Sequence, residues 1–406
     1  MAYIKRNLTK VFLEASELFP VLLLTGARQV GKSTFLSHIA GPERHFVTLD
    51  DPENKLQARE DPRLFLRDHP APVIIDEIQY APQLFPHLKM IVDEARRTNP
   101  DRATGLYWLT GSQQFQLMKD VSESLAGRIG IFRMQGLSWQ ELTGREQPPF
   151  RPDTFVCPDV PVLSSAELYR RIWRGAFPEA ERFNDDQLGA FFQSYVQTYL
   201  ERDVRDFAQV GDLAVFFKFL QAVAARQGQL LNYSSLAQSA DISQVTAKKW
   251  LGILVASGIA YVLPAYHSNL NKRLTQMPKL YLLDTGLAAW LSRWSSPAVL
   301  AQGMMNGAYF EAWCVGELLK SYWNAGQEPP FYLYRDREQL EIDIVIEQDG
   351  KLFPVEIKKS AAVKKEDISA FSQISKHPVG EGALISMFDR DMHLTPQTRT
   401  IFAGYL

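Results

Sequence analysis

Short apolar runs recur along the first third of the chain and predict buried strands. The runs occupy residues 21–24, 46–49, 72–77, 106–110 and 131–134. Helical segments alternate with them, and such alternation is typical of a parallel sheet covered on both faces. We therefore expect a five-stranded parallel sheet within residues 1–145, with ligand-binding residues at the carboxyl ends of its strands.

Two further patterns divide the middle of the chain. Prolines within 147–161 interrupt any helix, whereas residues 167–207 have helical spacing with aromatic side chains suited to a core. Residues 146–211 are therefore predicted to form a helical connector. Residues 212–295 have the element order of a winged helix. Its predicted helices and strands lie at 213–225, 234–239, 243–257, 259–263 and 279–283.

Residues 296–406 have the pattern of a second α/β domain. Its predicted helices and strands lie, in chain order, at 309–319, 331–335, 341–347, 351–358, 364–374 and 382–386. Asp349-Gly350 is a strong signal for a two-residue hairpin turn between the strands at 341–347 and 351–358. The turn therefore fixes how these two strands pair.

The first apolar run leads directly into a phosphate-binding motif. Gly26, Gly31, Lys32 and Ser33 have the spacing Gly-x-x-x-x-Gly-Lys-Ser. The glycines let successive N–H groups face one anion-sized hollow, to which the following helix adds its positive end. Lys32 is expected to reach the β- and γ-phosphates, and Ser33 to ligate Mg²⁺. The residues assigned to nucleotide binding are Gly26, Ala27, Arg28, Gln29, Val30, Gly31, Lys32, Ser33 and Thr34.

The run at 72–77 ends in two carboxylates, which is a Walker B pattern. Asp76 is predicted to bind Mg²⁺ through water, and Glu77 to orient or deprotonate the attacking water. An acidic pair after a strand also occurs as a helix N-cap, which is the alternative. The nearby phosphate-binding motif favours the catalytic interpretation.

Two later positions complete the predicted nucleotide site. Ser112 or Gln113, directly after a strand, is the candidate sensor of the γ-phosphate, with a capping role as the alternative. Arg128 is the candidate that stabilises the transferring phosphate, in its own subunit or in a neighbouring one. A solvated surface arginine is the alternative for Arg128.

Several segments together resemble one family of prokaryotic AAA-type ATPases. The segments are residues 26–34, 75–79, 109–112, 125–128, 175–179, 199–203 and 278–286. In that family the ATPase domain is followed by a C-terminal region of unknown function. The resemblance extends over nearly the whole chain and implies an ATP-binding core, but it implies no particular substrate.

The predicted winged helix has a local surplus of basic residues. Residues 212–284 contain seven Lys or Arg and three Asp, a balance of +4 in a chain whose net charge is −2. Such residues suit contacts with DNA phosphates and groove edges. Winged helices also act as protein–protein adaptors, so a protein partner is the alternative. The candidate DNA contacts are Gln244, Lys248, Lys249, Lys272 and Arg273.

The predicted hairpin brings charged residues together on one face of the C-terminal sheet. With Asp349 and Gly350 at the tip of the turn, Asp343 faces Glu356 and Glu341 faces Lys358. All four share one face, because residues two apart on a strand point the same way. Opposed carboxylates are destabilising unless something compensates for their charge, and a divalent cation would do so. This arrangement resembles the PD-(D/E)xK nuclease fold, in which Glu311 would supply a further acidic position. Surface ion pairs are the alternative.

Composition bounds the remaining interpretations. The 406 residues suggest two to four domains, and 46% apolar with 22% charged residues is ordinary for a folded protein. The two cysteines, Cys157 and Cys314, predict neither a disulfide framework nor a zinc site. The chain shows no apolar signal core and no run of 18 apolar residues, so we expect a cytoplasmic protein without membrane contact.

The sequence thus predicts an α/β multidomain protein that binds ATP and Mg²⁺. Its predicted parts are a P-loop NTPase sheet at 1–145, a connector at 146–211, a winged helix at 212–295 and a restriction-endonuclease-like domain at 296–406. We expect nucleotide state to gate DNA or partner binding by the C-terminal parts. Two alternatives are an ATP-regulated, metal-dependent nuclease with a second divalent metal, and a nucleotide-dependent protein switch. The prediction leaves room for an oligomer.

Overall fold

The chain folds into two compact units. The computed structural model describes residues 3–100, 103–111, 124–146, 148–199, 213–267, 276–336 and 338–406. The first unit contains Met1–Leu137, Ala256–Gly258 and Trp323–Gln327, and the second contains Ser138–Val255, Ile259–Tyr322 and Glu328–Leu406. The finer division of the chain at 145, 211 and 295 stays a prediction.

A five-stranded parallel sheet forms the centre of the first unit. Its strands are β1 (Val21–Thr25), β2 (His45–Thr48), β3 (Val73–Asp76), β4 (Tyr107–Gly111) and β5 (Ile129–Arg133). Their order across the sheet is β2-β3-β4-β1-β5, and every neighbouring pair is parallel. The predicted parallel sheet is therefore confirmed, and β4 separates the two strands that lead into the predicted phosphate and metal residues.

Helices cover both faces of this sheet. They are α1 (Thr9–Ser16), α2 (Lys32–Ile39), α3 (Pro52–Glu60), α4 (Pro62–Asp68) and α5 (Leu84–Thr98). On one face, Val21 and Leu23 belong to an apolar cluster that includes Leu88 of α5. On the other, the Phe12 ring packs edge-on against Trp108, with centroids 5.2 Å apart. Burial on both faces explains why β1 is a continuous apolar run.

The second unit begins with the predicted connector and the elements predicted as a winged helix. Its helices there are α6 (Trp139–Leu142), α7 (Ser165–Arg174), α8 (Leu188–Tyr199), α9 (Leu213–Ala224), α10 (Tyr233–Ala240) and α11 (Gln244–Ala256). The strands β6 (Gln229–Leu230), β7 (Ala260–Leu263) and β8 (Lys279–Leu282) form an antiparallel sheet in the order β6-β8-β7. Strand β6 was not predicted, because two residues are too short to show an alternation. The interpretation of these elements as a winged helix stays a prediction.

The rest of the second unit is built on a six-stranded mixed sheet. Three helices precede it: α12 (Thr285–Leu291), α13 (Pro297–Gln302) and α14 (Asn306–Asn324). Its strands are β9 (Phe331–Arg335), β10 (Glu341–Gln348), β11 (Lys351–Lys358), β12 (Gly382–Ser386), β13 (His393–Thr395) and β14 (Thr398–Phe402). The order is β13-β14-β12-β11-β10-β9, with a 3₁₀ segment at Lys365–Ile374. The structure thus confirms the predicted order of helix and strands and adds β13 and β14.

The hairpin register follows the prediction made from Asp349-Gly350. Strands β10 and β11 pair antiparallel from Ile344 with Val355 to Gln348 with Lys351. Asp349 and Gly350 both have positive φ, at 53° and 72°, as a tight hairpin turn requires. Asp343 and Glu356 are the next residues of this register, and both are buried. The interpretation of this domain as nuclease-like stays a prediction.

The described residues also bear on two expectations about the whole chain. Among them, no helix combines the length and the apolar character needed to cross a bilayer. Their cysteines, Cys157 and Cys314, are both free thiols. The cytoplasmic location and the oligomer stay predictions.

Candidate functional site

The loop between β1 and α2 has the backbone shape that a phosphate-binding loop requires. Gly26 and Gly31 have φ values of 147° and 93°, and Gln29 has a φ of 61°. A Cβ atom on Gly26 would lie 2.0 Å from the carbonyl oxygen of Met134, so only glycine fits there. Helix α2 begins at Lys32, directly after Gly31. The loop therefore ends at a helix N-terminus, whose N–H groups and dipole favour an anion.

Lys32 is buried against its own loop. Its ammonium donates hydrogen bonds to the carbonyl oxygens of Gly26 and Ala27, each at 2.9 Å. Only 6% of the residue is exposed. A buried ammonium needs anionic or carbonyl partners, and here the loop supplies carbonyls that phosphate oxygens could replace.

The two predicted Mg²⁺ ligands meet although they are 43 residues apart. Ser33 on α2 donates a hydrogen bond from Oγ to Asp76 Oδ1 at the end of β3, at 2.7 Å. Thr48 donates to Asp76 Oδ2 at 3.4 Å. One carboxylate and one hydroxyl fit Mg²⁺, which keeps several waters and takes its other ligands from substrate phosphates. As the side chains stand in the structure, no three His, Cys, Asp or Glu of the described residues are arranged to hold a metal ion.

Glu77 adopts a backbone conformation that is unusual for a residue other than glycine. Its φ is 56° and its ψ is 46°, in the left-handed region. Its backbone N–H donates to Thr110 Oγ1 at 3.2 Å, and Arg28 Nη1 lies 4.0 Å from its Oε1. Gln79 donates to its other carboxylate oxygen. Such strained positions concentrate at functional sites, and this one turns Glu77 toward the loop arginine.

Thr110 and Arg6 are residues of this site that the sequence analysis did not assign. Thr110 donates from Oγ1 to Asp76 Oδ1 and accepts the Glu77 N–H. Arg6 is buried and donates to the carbonyl oxygens of Val30 at 2.9 Å and Gln135 at 2.6 Å. Thr110 lies at the carboxyl end of a parallel strand, and this position could have indicated a residue of the site. Arg6 lies in no motif, and its partners are distant in sequence.

The structure corrects the role of Arg128 within its own chain. Arg128 directly precedes β5, which is parallel to β1 and pairs Val21 with Ile129. It therefore lies at the amino edge of the sheet, a strand length of roughly 16 Å from the phosphate-binding loop. Its Nε and Nη2 donate to Asp93 at 2.6 and 3.0 Å. Arg128 cannot reach phosphate in its own chain, and a role in a neighbouring subunit stays a prediction.

Other predicted residues fall outside the part of the chain that the structure describes. They are Ser112 and Gln113 of the sensor pair and Lys272 and Arg273 of the wing loop. The predictions for these residues are therefore untested.

Helix α11 presents the other candidate DNA contacts to solvent. Gln244, Lys248 and Lys249 are exposed, whereas Ala247 and Trp250 of the same helix are buried. These residues therefore share the outer face of the helix. Lys279 was counted in the basic surplus of this region, but it is buried among carboxylates, so the positive charge available at the surface is smaller than the sequence count.

Lys279 forms the centre of a buried ionic cluster in the second unit. Its Nζ lies 2.8 Å from Glu311 Oε1, 2.6 Å from Glu341 Oε1 and 3.0 Å from Asp343 Oδ1. Tyr281 donates a hydrogen bond to the same Glu311 oxygen at 2.6 Å. Burial of Lys279 alone would lower its pKa, but the surrounding anions outweigh burial and raise it. The lysine is therefore charged and neutralises the carboxylates.

Glu356 and Lys358 lie beside this cluster on β11. Lys358 Nζ lies 2.5 Å from Glu356 Oε1, whereas Glu356 Oε2 is buried and has no hydrogen-bond partner among the described residues. Burial and the Asp343 charge raise the pKa of Glu356 to about 8, and the same causes raise the pKa of Glu311 to about 7. The structure thus brings together Glu311 and Asp343, with Glu356 and Lys358 adjacent. Glu341, which was predicted to face Lys358, contacts Lys279 instead, and Lys279 was not predicted to lie here.

Three family models match this chain. One, described as an AAA domain, matches residues 18–143. The others, described as domains of unknown function DUF8612 and DUF4143, match residues 165–298 and 306–403.

Two relatives are the uncharacterised proteins Mb2031c of Mycobacterium bovis and Rv2008c of Mycobacterium tuberculosis. Each is 31% identical over 347 residues, which cover 84% of this chain and 71% of the relative. A solved structure, the Walker-type ATPase PABY2304 of Pyrococcus abyssi, is similar over 71% of this chain and 96% of its own. Its TM-score is 0.46 and its sequence identity is 16%.

Proposed function

The chain belongs to the family of AAA-type P-loop ATPases that carry a C-terminal domain of unknown function, and from this premise we propose a nucleotide-gated function. The protein binds and hydrolyses ATP with Mg²⁺. Its nucleotide state then controls how the C-terminal parts bind DNA or a partner.

The proposed nucleotide site uses residues of the first unit. The loop at residues 26–34 binds the phosphates, and Lys32 contacts the β- and γ-phosphates. Mg²⁺, when bound, neutralises phosphate charge, and Ser33 and Asp76 are its protein ligands. Glu77 orients the attacking water and accepts its proton. The observation that carries this proposal is the 2.7 Å contact between Ser33 Oγ and Asp76 Oδ1.

Two variants test the proposed roles of Lys32 and Glu77. Lys32→Ala should lose ATP binding, because the ammonium that contacts the phosphates is gone. Glu77→Gln should retain ATP binding and lower the hydrolysis rate by about 10²–10⁴-fold, the usual contribution of a general base. Radiolabelled ATP binding and phosphate release on the purified chain measure both quantities. Unchanged turnover in Glu77→Gln would refute its role.

DNA binding is proposed for the elements between α9 and β8. The support is the helix–helix–strand order of these elements and the exposed polar face of α11. Gln244, Lys248 and Lys249 on that face are side chains that contact phosphates and groove edges in such domains. The alternative is that these elements bind a protein instead of DNA. In that case the purified chain should not retard DNA in a gel at low salt, whichever nucleotide is present.

A metal-dependent nuclease is the second candidate function, and one observation favours it. Asp343 and Glu356 are buried next to each other on paired strands, which surface ion pairs do not explain. Together with Glu311 and Lys358 they have the residue types of a PD-(D/E)xK site, in which a second divalent metal would bind. Cleavage of supercoiled plasmid with Mn²⁺ tests it. Cutting must disappear in Asp343→Ala and in Lys358→Ala.

A further inference from the structure

The acidic centre of the C-terminal domain contains a cation that the chain itself provides. Lys279 Nζ lies within 3.0 Å of oxygens from Glu311, Glu341 and Asp343. These carboxylates come from α14 and β10, whereas Lys279 comes from β8 of the separate three-stranded sheet. The side chain of Lys279 is 5% exposed.

We propose that Lys279 blocks a divalent-cation site, so that Glu311, Glu341 and Asp343 bind Mg²⁺ or Mn²⁺ only when its ammonium is absent. The inference concerns cation binding alone. It does not depend on whether the first unit hydrolyses ATP, and it implies that a metal-dependent nuclease would require Lys279 to leave the cluster first.

Charge is the first reason for this inference. Buried carboxylates are costly unless a cation compensates for them. Among the described residues, Arg335 also contacts this group, with Nη1 3.1 Å from Glu341 Oε2. Tyr281 contributes a neutral hydroxyl to Glu311, and the Ile357 N–H donates to Asp343 Oδ2 at 2.9 Å. Lys279 therefore supplies the central positive charge, and without it the cluster is a set of hard oxygen ligands.

Glu356 supplies a second, independent observation. Its Oε2 atom is buried without a hydrogen-bond partner among the described residues, and only 5% of the residue is exposed. Glu356 directly follows Val355, the partner of Ile344, so its position in the register faces Asp343. An unpaired buried carboxylate oxygen requires an explanation. A divalent cation, which takes several carboxylate oxygens at once, would use it where one ammonium cannot.

Distance makes the two occupants mutually exclusive. The ammonium already lies 2.6 to 3.0 Å from its three oxygens. A divalent cation binds carboxylate oxygens at about 2.0–2.6 Å. The same oxygens cannot converge on both centres. The state of the site therefore depends on whether β8 keeps its lysine in place.

Binding of Mn²⁺ to the full chain without nucleotide tests the proposal, with the free ion followed by electron paramagnetic resonance. The wild type should show no Mn²⁺ binding that is lost when Asp343 is replaced by Asn. Lys279→Gln should bind about one Mn²⁺ per chain, at least about tenfold more tightly than the wild type, because the carboxylates lose their competitor. Lys279→Gln combined with Asp343→Asn should lose this binding.

A neighbouring lysine provides the matched control. Lys359 directly follows β11 and donates a hydrogen bond to Asn306 Oδ1 at 2.7 Å. Lys359→Gln removes the same charge and should leave the Mn²⁺ affinity close to that of the wild type. If Lys359→Gln and Lys279→Gln gain equally, general loss of positive charge explains the result and the proposal fails.

Two further outcomes would overturn the proposal. The first is Asp343-dependent Mn²⁺ binding by the wild type as tight as that of Lys279→Gln. The second is a folded Lys279→Gln that binds no Mn²⁺. Circular dichroism monitors folding, and if Lys279→Gln unfolds, Lys279→Gln with Glu311→Gln keeps the charge balance. That double variant retains Glu341, Asp343 and Glu356 and must still gain the ion.

Discussion

At the residue scale, the Thr110 hydroxyl connects the two carboxylates of the nucleotide site. It donates to the Asp76 side chain and accepts the backbone N–H of Glu77. Asp76 is thereby oriented toward Ser33, while Glu77 is stabilised in its left-handed conformation. Thr110 is thus a positioning residue that links the proposed metal ligand, Asp76, to Glu77, the residue proposed to orient water.

Thr110→Val should separate positioning from binding, because valine has the shape of threonine without the hydroxyl. Loss of the acceptor for the Glu77 N–H should destabilise the first unit by about 1–3 kcal/mol. Misplacement of Glu77 should lower kcat by roughly a hundredfold. Thr110→Ser retains the hydroxyl and serves as the control. Steady-state hydrolysis with separate kcat and KM measures the effect, and a drop confined to ATP affinity would contradict the positioning role.

The sequence predicts the charged residues of the nucleotide site better than the residues that position them. The predicted roles of Lys32, Ser33, Asp76 and Glu77 follow from motif spacing, because phosphate and Mg²⁺ require particular groups at particular positions in the phosphate-binding loop and at the end of a neighbouring strand. Thr110 and Arg6 act through contacts between elements distant in sequence, which no local pattern encodes. Arg128 is the opposite case. Its neighbouring residues resemble a motif, but it precedes β5, so the strand direction places it at the edge of the sheet opposite to the phosphate-binding loop.

At the element scale, one junction joins the predicted connector to helix α12. Asp284 accepts hydrogen bonds from the N–H groups of Leu287 at 2.7 Å and Ala176 at 2.6 Å. Gly175 and Gly286 allow this close approach. A Cβ on Gly286 would lie 2.6 Å from backbone atoms of Arg174. The segments at 175–179 and 278–286, which contributed to the family resemblance, therefore pack against each other.

Gly286→Ala should destabilise the second unit, because the added methyl group meets backbone that cannot rotate away. Overpacking of this kind typically costs about 1–3 kcal/mol, and Tm should fall by roughly 2–4 °C per kcal/mol. Gly189→Ala in α8 is the matched control, since a Cβ there meets nothing within 4 Å. It should be neutral or slightly stabilising. Calorimetry measures both Tm values. Equal values would contradict the claim that the contact between Gly286 and the Arg174 backbone has no room for a methyl group.

Local signals predict long elements and tight turns, whereas short elements depend on their neighbours. The Asp349-Gly350 turn predicts the pairing of β10 with β11, because two residues with positive φ permit one register. Strands β6, β13 and β14 have two, three and five residues and mix polar with apolar side chains. Strand β6 pairs with β8, β14 pairs with β12, and β13 pairs with β14, so their strand conformation comes from pairing and not from their own periodicity.

At the scale of the whole molecule, the net charge of −2 means that any contact with DNA must be local. The exposed face of α11 is the surface proposed for such a contact, and Lys248 and Lys249 provide its charge. The buried Lys279 contributes nothing to it, because its charge is neutralised by Glu311, Glu341 and Asp343. Affinity for DNA should therefore depend on few phosphate contacts.

Lys248→Gln and Lys249→Gln should each weaken DNA binding uniformly across sequences. Each lost phosphate contact should reduce the slope of log K against log[salt] by about 1. Lys10→Gln is the control, because Lys10 lies on α1 with a side chain that is 83% exposed. Fluorescence anisotropy across a salt series, with and without ATP, measures the slopes. If the slope is unchanged in both α11 variants, or falls equally in Lys10→Gln, the hypothesis that this helix contacts DNA is wrong.

The central claim is that the loop between β1 and α2 binds a nucleoside triphosphate with Mg²⁺. Isothermal titration of the full chain with ATP, in the presence of Mg²⁺, tests it most directly. The wild type should bind about one ATP per chain, and Lys32→Ala should weaken binding by at least about a hundredfold, as loss of a charge-assisted contact to phosphate predicts. Absence of binding by the wild type, or equal affinity in Lys32→Ala, would contradict the account.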